Sequence, residues 1–300
     1  MPECCEARVV AEHLAKSLTG LTLLSLQWDQ FSRYNREEIT GYADVQSKFP
    51  ATIKGVTVKG KHIIFIYQAV QSQDTFYSIS FLGMEGKFLW EPESHSNLTF
   101  HFGYQIQGQI KLNVVERILY FDDSRHFGAI TFYPTDAALI TKLNTFGPDV
   151  LAYAMYLQGM FPDLPESEHI TAERWREKFR NKRLVGKEVG VFLLDQGRFS
   201  GVGNYIRAES LYKSRISPHR PLGQLTDAEI EALRLAVFDV VYRSYRSQGH
   251  TLKSYRTPYG EKGEFECVVY GKSICPLGHP VTKTVTKDGR TAHWVPNVQI

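Results

Sequence analysis

Apolar positions at the start of the chain recur with the period of a helix. Val9, Val10, His13, Leu14 and Leu18 fall on one side of a helix over 6–19, and Gly20 closes the run as a C-cap does. From Leu21 to about Pro134 the pattern shortens. TLLSLQW, VTVKGKHIIFIYQ, FYSISFLG, NLTFHFG, RILYFDD and AITFYP are β-branched and aromatic runs parted by turn residues, so they read as strands. Strands in series without helices between them predict a sandwich or a barrel. The stretch 146–169 carries three prolines and an acidic finish, and reads as a connection between domains. Helical patterns follow at 170–180, 187–196, 204–214 and 226–247. The last opens with a capping box, Thr226 and Glu229, and stops at Gly249. Its apolar positions Ile230, Leu233, Val237, Val240 and Val241 are core candidates. The chain ends in strand-like runs with an Asp288-Gly289 hairpin turn.

Composition narrows this picture. At 300 residues the chain suits one large domain or two ordinary ones. Hydrophobic residues at 43% and charged residues at 22% supply a sizeable core and exclude a disordered chain. There is no apolar run of membrane-spanning length and no basic stretch leading into an apolar one, so an intracellular, non-secreted protein is expected, in nucleus or cytoplasm according to source. Cys4, Cys5, Cys267 and Cys275 do not form a disulfide framework, which fits a reducing compartment. Net charge is +3 but uneven: residues 165–300 hold 22 Lys and Arg against 15 Asp and Glu, and residues 1–164 hold 13 against 17. A basic second half suits a polyanion partner, although ordinary charge variation accounts for it equally.

Two stretches could carry chemistry. The tip reads MPECCE. Removal of Met1 would expose the secondary amine of Pro2, with the carboxylates of Glu3 and Glu6 beside it. Burial and the field of a helix N-terminus both disfavour a protonated amine, which leaves a nucleophile. Attack on an aldehydic carbon would give an iminium ion, an electron sink that needs no cofactor, and a glutamate could move protons next to it. A simpler account, in which Pro2 only permits loss of Met1 and the glutamates favour a helix start, suffices for six residues alone. The second stretch, LLDQGRFSGVGNYIRAESLY (193–212), has Gly201 and Gly203 bracketing a tight turn and Asn204 opening the next helix. Backbone amides at that helix start, with an amide side chain, make an anion site, and two helices joined this way can grip a DNA backbone.

The motifs MPE..E, GKHIIF, LGMEG, DDSRHFG, FGPD, LLDQ…SGVGNYIRAESLY…RISPHRP and GRTAHWVPNVQ occur in one order over nearly the whole chain. In them the sequence resembles the formamidopyrimidine-DNA glycosylase / endonuclease VIII family. The resemblance implies that Pro2 is the nucleophile at C1′ of a damaged nucleotide, Glu3 the proton shuttle and Glu6 its support. It implies that Lys61 and Asn204 bind phosphates and that Arg290 enters the minor groove. Met84, Arg125 and Phe127 would fill the gap left by an everted base, a task that suits an apolar wedge, a cation and an aromatic ring. On the residues alone, Met84 and Phe127 would serve equally as core, Arg125 as a partner of Asp122 or Asp123, and Lys61 as a solvated charge.

The family usually ends in a zinc finger with two Cys-x-x-Cys pairs. Here those positions correspond to Ile274 and Leu277, and to Val295 and Val298. Apolar side chains bind no zinc, so a zincless finger held together by their burial is expected, with no metal and no cofactor. Cys267, Cys275, His279 and His293 lack the close pairing of a zinc site. The adjacent Cys4 and Cys5, where the family has other residues, fit small buried hydrophobes.

The expected fold is therefore α+β in two domains. A β-sandwich with a flanking helix would occupy 1–146 and a linker 147–168. A helix–two-turn–helix domain would span 169–249, and a lesion-loop region with the finger hairpin 250–300. Tyr259 or Arg256 of the stretch 254–265 would reach the base. The expected activity is that of a bifunctional DNA glycosylase and AP lyase acting by β,δ-elimination in base excision repair, leaning to oxidised pyrimidines and hydantoins. Its partner would be double-stranded DNA with oxidised bases or abasic sites. No membrane is involved and a monomer is expected. The competing reading is a lesion-binding protein with an inactive tip, through a retained Met1 or the Cys4-Cys5 change.

Overall fold

The computed structural model describes residues 2–28, 32–103, 105–106, 109–110, 117–253 and 255–300. Met1 and Ser254 thus lie outside the described residues. The chain folds into two compact units. The first holds Pro2, Glu6–Asn144 and Leu252–Gly263; the second holds Glu3–Cys5, Thr145–Thr251 and Glu264–Ile300. Among the described residues no helix is long and apolar enough to cross a membrane.

The first unit begins with α1 (Cys4–Leu18), whose first residues count with the second unit. Its strands are β1 (Thr22–Gln27), β2 (Ala51–Lys59), β3 (His62–Ala69), β4 (Thr75–Phe81), β5 (Lys87–Leu89), β6 (Ser96–Gly103), the short pair β7 (Gln105–Ile106) and β8 (Gln109–Ile110), β9 (Arg117–Asp122) and β10 (Ala129–Tyr133). The run 56–68 is two strands, because Gly60 at φ 56 turns the chain back and pairs Lys59 with His62. That hairpin puts Lys61 at its tip.

Eight strands form one antiparallel sheet in the order β10-β4-β3-β2-β1-β6-β9-β5. The sandwich expected from the sequence is thus one continuous sheet coiled over itself. Phe65 on β3 lies 5.7 Å, ring to ring, from Phe88 on the far edge strand β5, and 6.5 Å from Phe100 on β6. Twist accumulated over the six strands from β3 to β5 brings those rings together. Alternate residues of β3, Ile63, Phe65, Tyr67 and Ala69, face this core and are almost fully buried. The opposite face of β3 and β4 is covered by α2 (Asp136–Leu143), which sets Leu139 on Ile64 and Ile79.

The second unit contains α3 (Val150–Tyr156), α4 (Ala172–Phe179), α5 (Val189–Leu193), α6 (Asn204–Lys213), α7 (Asp227–Arg246) and a hairpin of β11 (Thr282–Val285) and β12 (Thr291–Trp294). The proline-rich stretch read as a connection holds α3. Asp149 caps it by accepting from the amides of Leu151 and Ala152, and Val150 to Met155 are buried. α7 has its capping box as expected. Trp175, Phe179, Phe192 and Phe199 stack in the core, with Trp175 and Phe199 centroids 4.1 Å apart. The indole of Trp175 donates to the carbonyl of Ile230 on α7 at 3.0 Å.

The β11–β12 hairpin turns at Asp288-Gly289, as the sequence indicates. Its support differs in part from expectation. Val295 is fully buried with Val269 and Cys275, and Val298, Val281 and Tyr212 pack against them. Ile274 and Leu277, expected to be buried, are 63% and 60% exposed. The tight turn between the amide of Cys275 and the carbonyl of His279 points Cys275 inward and sends its neighbours to solvent.

Candidate active site

α6 opens with Gly203 at the N-cap, and a glycine has no side chain with which to cap a helix. Glu3 supplies the missing acceptor. Its Oε1 accepts from the amide of Tyr205 at 2.8 Å and its Oε2 from that of Ile206 at 3.3 Å, and the residue is 1% exposed. The carboxylate sits where the helix concentrates positive partial charge. A Cβ on Gly203 would overlap the Glu3 carboxyl group. Gly201, at φ 108, accepts from the amide of Cys4 at 3.3 Å, and a Cβ there would press on Cys4 and Val150. The two glycines of Gly-Val-Gly-Asn therefore make room for Glu3 and Cys4. The sequence suggests an anion site at this helix start, and the anion that fills it is the chain's own Glu3.

The neighbours complete the setting. Pro2 and Glu6 are both buried, Glu6 completely, one helical turn apart. Cys5 donates to the carbonyl of Val241 at 3.2 Å, and Cys4 and Cys5 pack as small hydrophobes with the core of the second unit. Asn204 is the first residue of α6 and is half-buried; its Oδ1 is buried and accepts no hydrogen bond from the described residues.

Arg207, one turn further along α6, was not singled out from the sequence. It is 1% exposed and donates to the carbonyl of Thr291 at 2.7 Å and towards Thr286 at 3.4 Å, tying α6 to the hairpin. Burial lowers its pKa, against the raising effect of Asp288 and Glu3. Arg290 follows the hairpin turn in an exposed position, 3.8 Å from Asp288.

The first unit gathers the three gap-filling candidates. Met84 lies in the turn after β4, and Arg125 and Phe127 lie in the loop between β9 and β10. Gly83, at φ 61, lets the two loops meet backbone to backbone: a Cβ there would fall 2.6 Å from the amide nitrogen of Gly128 and closer still to Phe127. Glu85 bridges them as well, accepting from Ser124 at 3.0 Å and lying 3.7 Å from Arg125. Arg125 covers the Phe127 ring at 5.1 Å. Its ion pair is with Glu85, while Asp122 lies 3.7 Å from Lys87 and Asp123 4.0 Å from Arg33. Met84 at 38% and Phe127 at 53% exposure are too open for core residues.

Lys61 is half-buried at the β2–β3 turn, beside His62, which stacks on Phe81 at 5.4 Å. Burial lowers the imidazole pKa to about 4, with Lys142 and Lys61 adding to the shift.

Tyr259 packs at the other end of α1, 5.7 Å from His13 and 6.3 Å from Trp90 by ring centroids, with its hydroxyl 3.1 Å from Ser17. At a rise of about 1.5 Å per residue, His13 and Ser17 stand roughly 16 and 22 Å from Pro2 along the helix. Arg256 donates to the carbonyl of Tyr255 at 2.6 Å, within its own loop. Of the two residues that the sequence suggests would reach the base, Tyr259 or Arg256, the geometry thus places Tyr259 away from a base held at Pro2.

The zinc positions of the finger are apolar, and among the described residues no group of three His, Cys, Asp or Glu could hold a metal ion. His293 accepts from the amide of Gly271 at 2.8 Å. A finger zinc does not fit this chain.

Comparison with known proteins gives two family matches: the formamidopyrimidine-DNA glycosylase N-terminal domain over residues 1–130, and the H2TH domain of the same glycosylase over 162–256. The formamidopyrimidine-DNA glycosylase of Thermus thermophilus is 30% identical over 100% of this chain and 98% of its own. That of Lactiplantibacillus plantarum is 27% identical over 99% and 98%. A crystal structure of the Lactococcus lactis enzyme bound to DNA containing an oxidised pyrimidine superposes with a TM-score of 0.77 at 25% identity, covering 99% of both chains.

Proposed function

The chain belongs to the formamidopyrimidine-DNA glycosylase family and is a DNA glycosylase of base excision repair; we propose that it excises oxidised bases with the amine of Pro2 and then cuts the strand as a lyase. The observation that carries this reading is the lock between Glu3 and α6, which fixes a carboxylate one residue after the proposed nucleophile.

With Met1 removed, the lone pair of Pro2 bonds to C1′ as the glycosidic bond breaks, and the base leaves with the two electrons of the broken glycosidic bond and takes up a proton. The sugar ring opens to an iminium ion. Its positive nitrogen acidifies C2′–H, and loss of that proton expels the 3′ phosphate; a second elimination expels the 5′ phosphate. Glu3 passes protons between the ring oxygen and the amine, and Glu6 supports it from the next turn. Its rigid cap keeps that carboxylate in reach without reorganisation. Lys61 and Asn204 hold phosphates around the lesion, Arg290 enters the minor groove, and Met84, Arg125 and Phe127 occupy the space of the everted base.

The substrates proposed are oxidised pyrimidines and hydantoins. The DNA in the Lactococcus lactis complex supports the pyrimidine class. The docking of Tyr259 far along α1 supports a pocket that recognises the base without that loop tip. A cleavage assay on duplexes bearing one oxidised pyrimidine, one hydantoin, 8-oxoguanine or an abasic site tests the proposal. Strand breaks with phosphates at both ends are expected on the first two and on the abasic site. Binding without cleavage would leave a lesion-binding protein, and excision that stops at an intact abasic strand would refute the lyase.

A further inference from the structure

The loop that carries Arg125 and Phe127 has a fixed support that none of the site residues provides. Arg33 lies in a single 3₁₀ turn, Arg33–Asn35, far from the loop in sequence. Its side chain is 11% exposed and its planar fork grips the loop on both sides of Phe127. Nη1 donates to the carbonyl of His126 at 2.8 Å, and Nη2 donates to the carbonyl of Gly128 at 2.6 Å. Nη2 also reaches the hydroxyl of Tyr34 at 2.9 Å and lies 4.0 Å from Oδ2 of Asp123. That same carboxylate oxygen accepts from the amide of Gly128 at 2.7 Å and so closes the loop on itself.

Each feature has a physical reason. His126 holds a φ of 58, a left-handed conformation that an L residue adopts only at a cost and keeps only when its surroundings fix it. The guanidinium on its carbonyl is such a restraint. A guanidinium has its donors in one rigid plane, so two bonded carbonyls fix both position and orientation, which a lysine cannot do. The backbone of the turn is itself anchored. Ser32 donates to the carbonyl of Asn97 at 2.7 Å, and Asn97 donates to the carbonyl of Asp123 at 3.0 Å. Phe127 nevertheless stays 53% exposed. A large aromatic ring is thus held out in solvent on a clamped backbone.

We propose that Arg33 is the positioning residue of the gap-filling loop, gripping the carbonyls on either side of Phe127 so that the ring enters DNA from a preset orientation. This rests on the gap-filling role of Met84, Arg125 and Phe127. A preset wedge lowers the ordering cost of insertion, so its effect belongs to base eversion and not to the elimination chemistry.

The test is a cycle of variants read by single-turnover excision of an oxidised pyrimidine, with a fluorescent base analogue opposite the lesion reporting eversion. Arg33→Ala is expected to slow eversion and excision by about tenfold or more. In a Phe127→Ala background the same change is expected to cost less than about twofold, because there is no ring left to aim. Arg33→Lys, which keeps the charge without the fork, should fall between wild type and Arg33→Ala, and covers the case in which Arg33→Ala folds poorly. Equal losses in both backgrounds, or excision that slows while the eversion signal does not change, would overturn the proposal. Failure of the underlying enzyme reading is seen separately, as no strand cleavage by the wild-type protein on an abasic duplex.

Discussion

The carboxylate of Glu3 occupies the space that a side chain on Gly203 would need, and it caps the two amides that Gly203 cannot. Any side chain at 203 must move Glu3. Gly203→Ala is expected to lower the single-turnover excision rate by about 100-fold, the scale of an ångström-sized misplacement of a reacting group. It should destabilise the fold by about 1–2 kcal/mol through the lost cap. Rate and chemical denaturation measured on the same preparation check both.

Glu3→Gln separates proton transfer from capping. The amide retains one carbonyl acceptor for the helix but carries no charge and shuttles no proton. Excision should fall by about 10²–10⁴-fold, the usual span for loss of a general acid–base group, while stability falls by no more than about 1–2 kcal/mol. A rate close to wild type would remove Glu3 from the chemistry.

How much of this was legible in the sequence depends on the distance over which each feature is decided. The capping box of α7 and the Asp288-Gly289 turn are local, and both stand where the sequence puts them. α3 was hidden because the prolines around it masked a short buried run with an Asp149 cap. That the layers of the sandwich are one sheet coiled over itself follows from contacts such as Phe65 with Phe88, which no local pattern encodes. In the site, Gly-Val-Gly-Asn was visible, but not that Glu3, about 200 positions earlier, fills its anion site. Arg33 and Arg207 look like ordinary charges in sequence; burial against distant carbonyls sets them apart.

The finger makes a contrast between its two apolar pairs. Val295→Ala should cost about 1.5–2.5 kcal/mol, from two buried methyl groups and the cavity they leave, and weaken DNA binding by loosening the hairpin that carries Arg290. Ile274→Ser and Leu277→Ser, at solvent-facing positions, should stay within about 0.5 kcal/mol. Thermal melts with and without a chelator should coincide.

His62 gives a pH signature. Its folded pKa is lowered from 6.5 to about 4 by burial, with Lys142 and Lys61 adding to it. Between those values the unfolded chain binds the extra proton, so stability falls as pH drops through 6.5 towards 4, by up to about 1.4 kcal/mol per unit, and is unaffected above 6.5. Glu229, held down to about 2 chiefly by its hydrogen bond from Arg220, contributes stability above 4.5 that is lost only as pH falls towards 2. Melts of wild type and His62→Phe across pH 4–7 should show the slope in the first and a flatter profile in the second.

The nucleophile itself is tested by where DNA becomes attached. Borohydride reduces an iminium to a stable amine, so protein reacting with an abasic duplex in its presence should be trapped covalently. Trypsin then releases the peptide 2–8, PECCEAR, and mass spectrometry locates the deoxyribose remnant. The adduct is expected on the nitrogen of Pro2, in protein that has lost Met1. An adduct on Lys61 or another lysine, or full activity in protein that still carries Met1, would contradict the account.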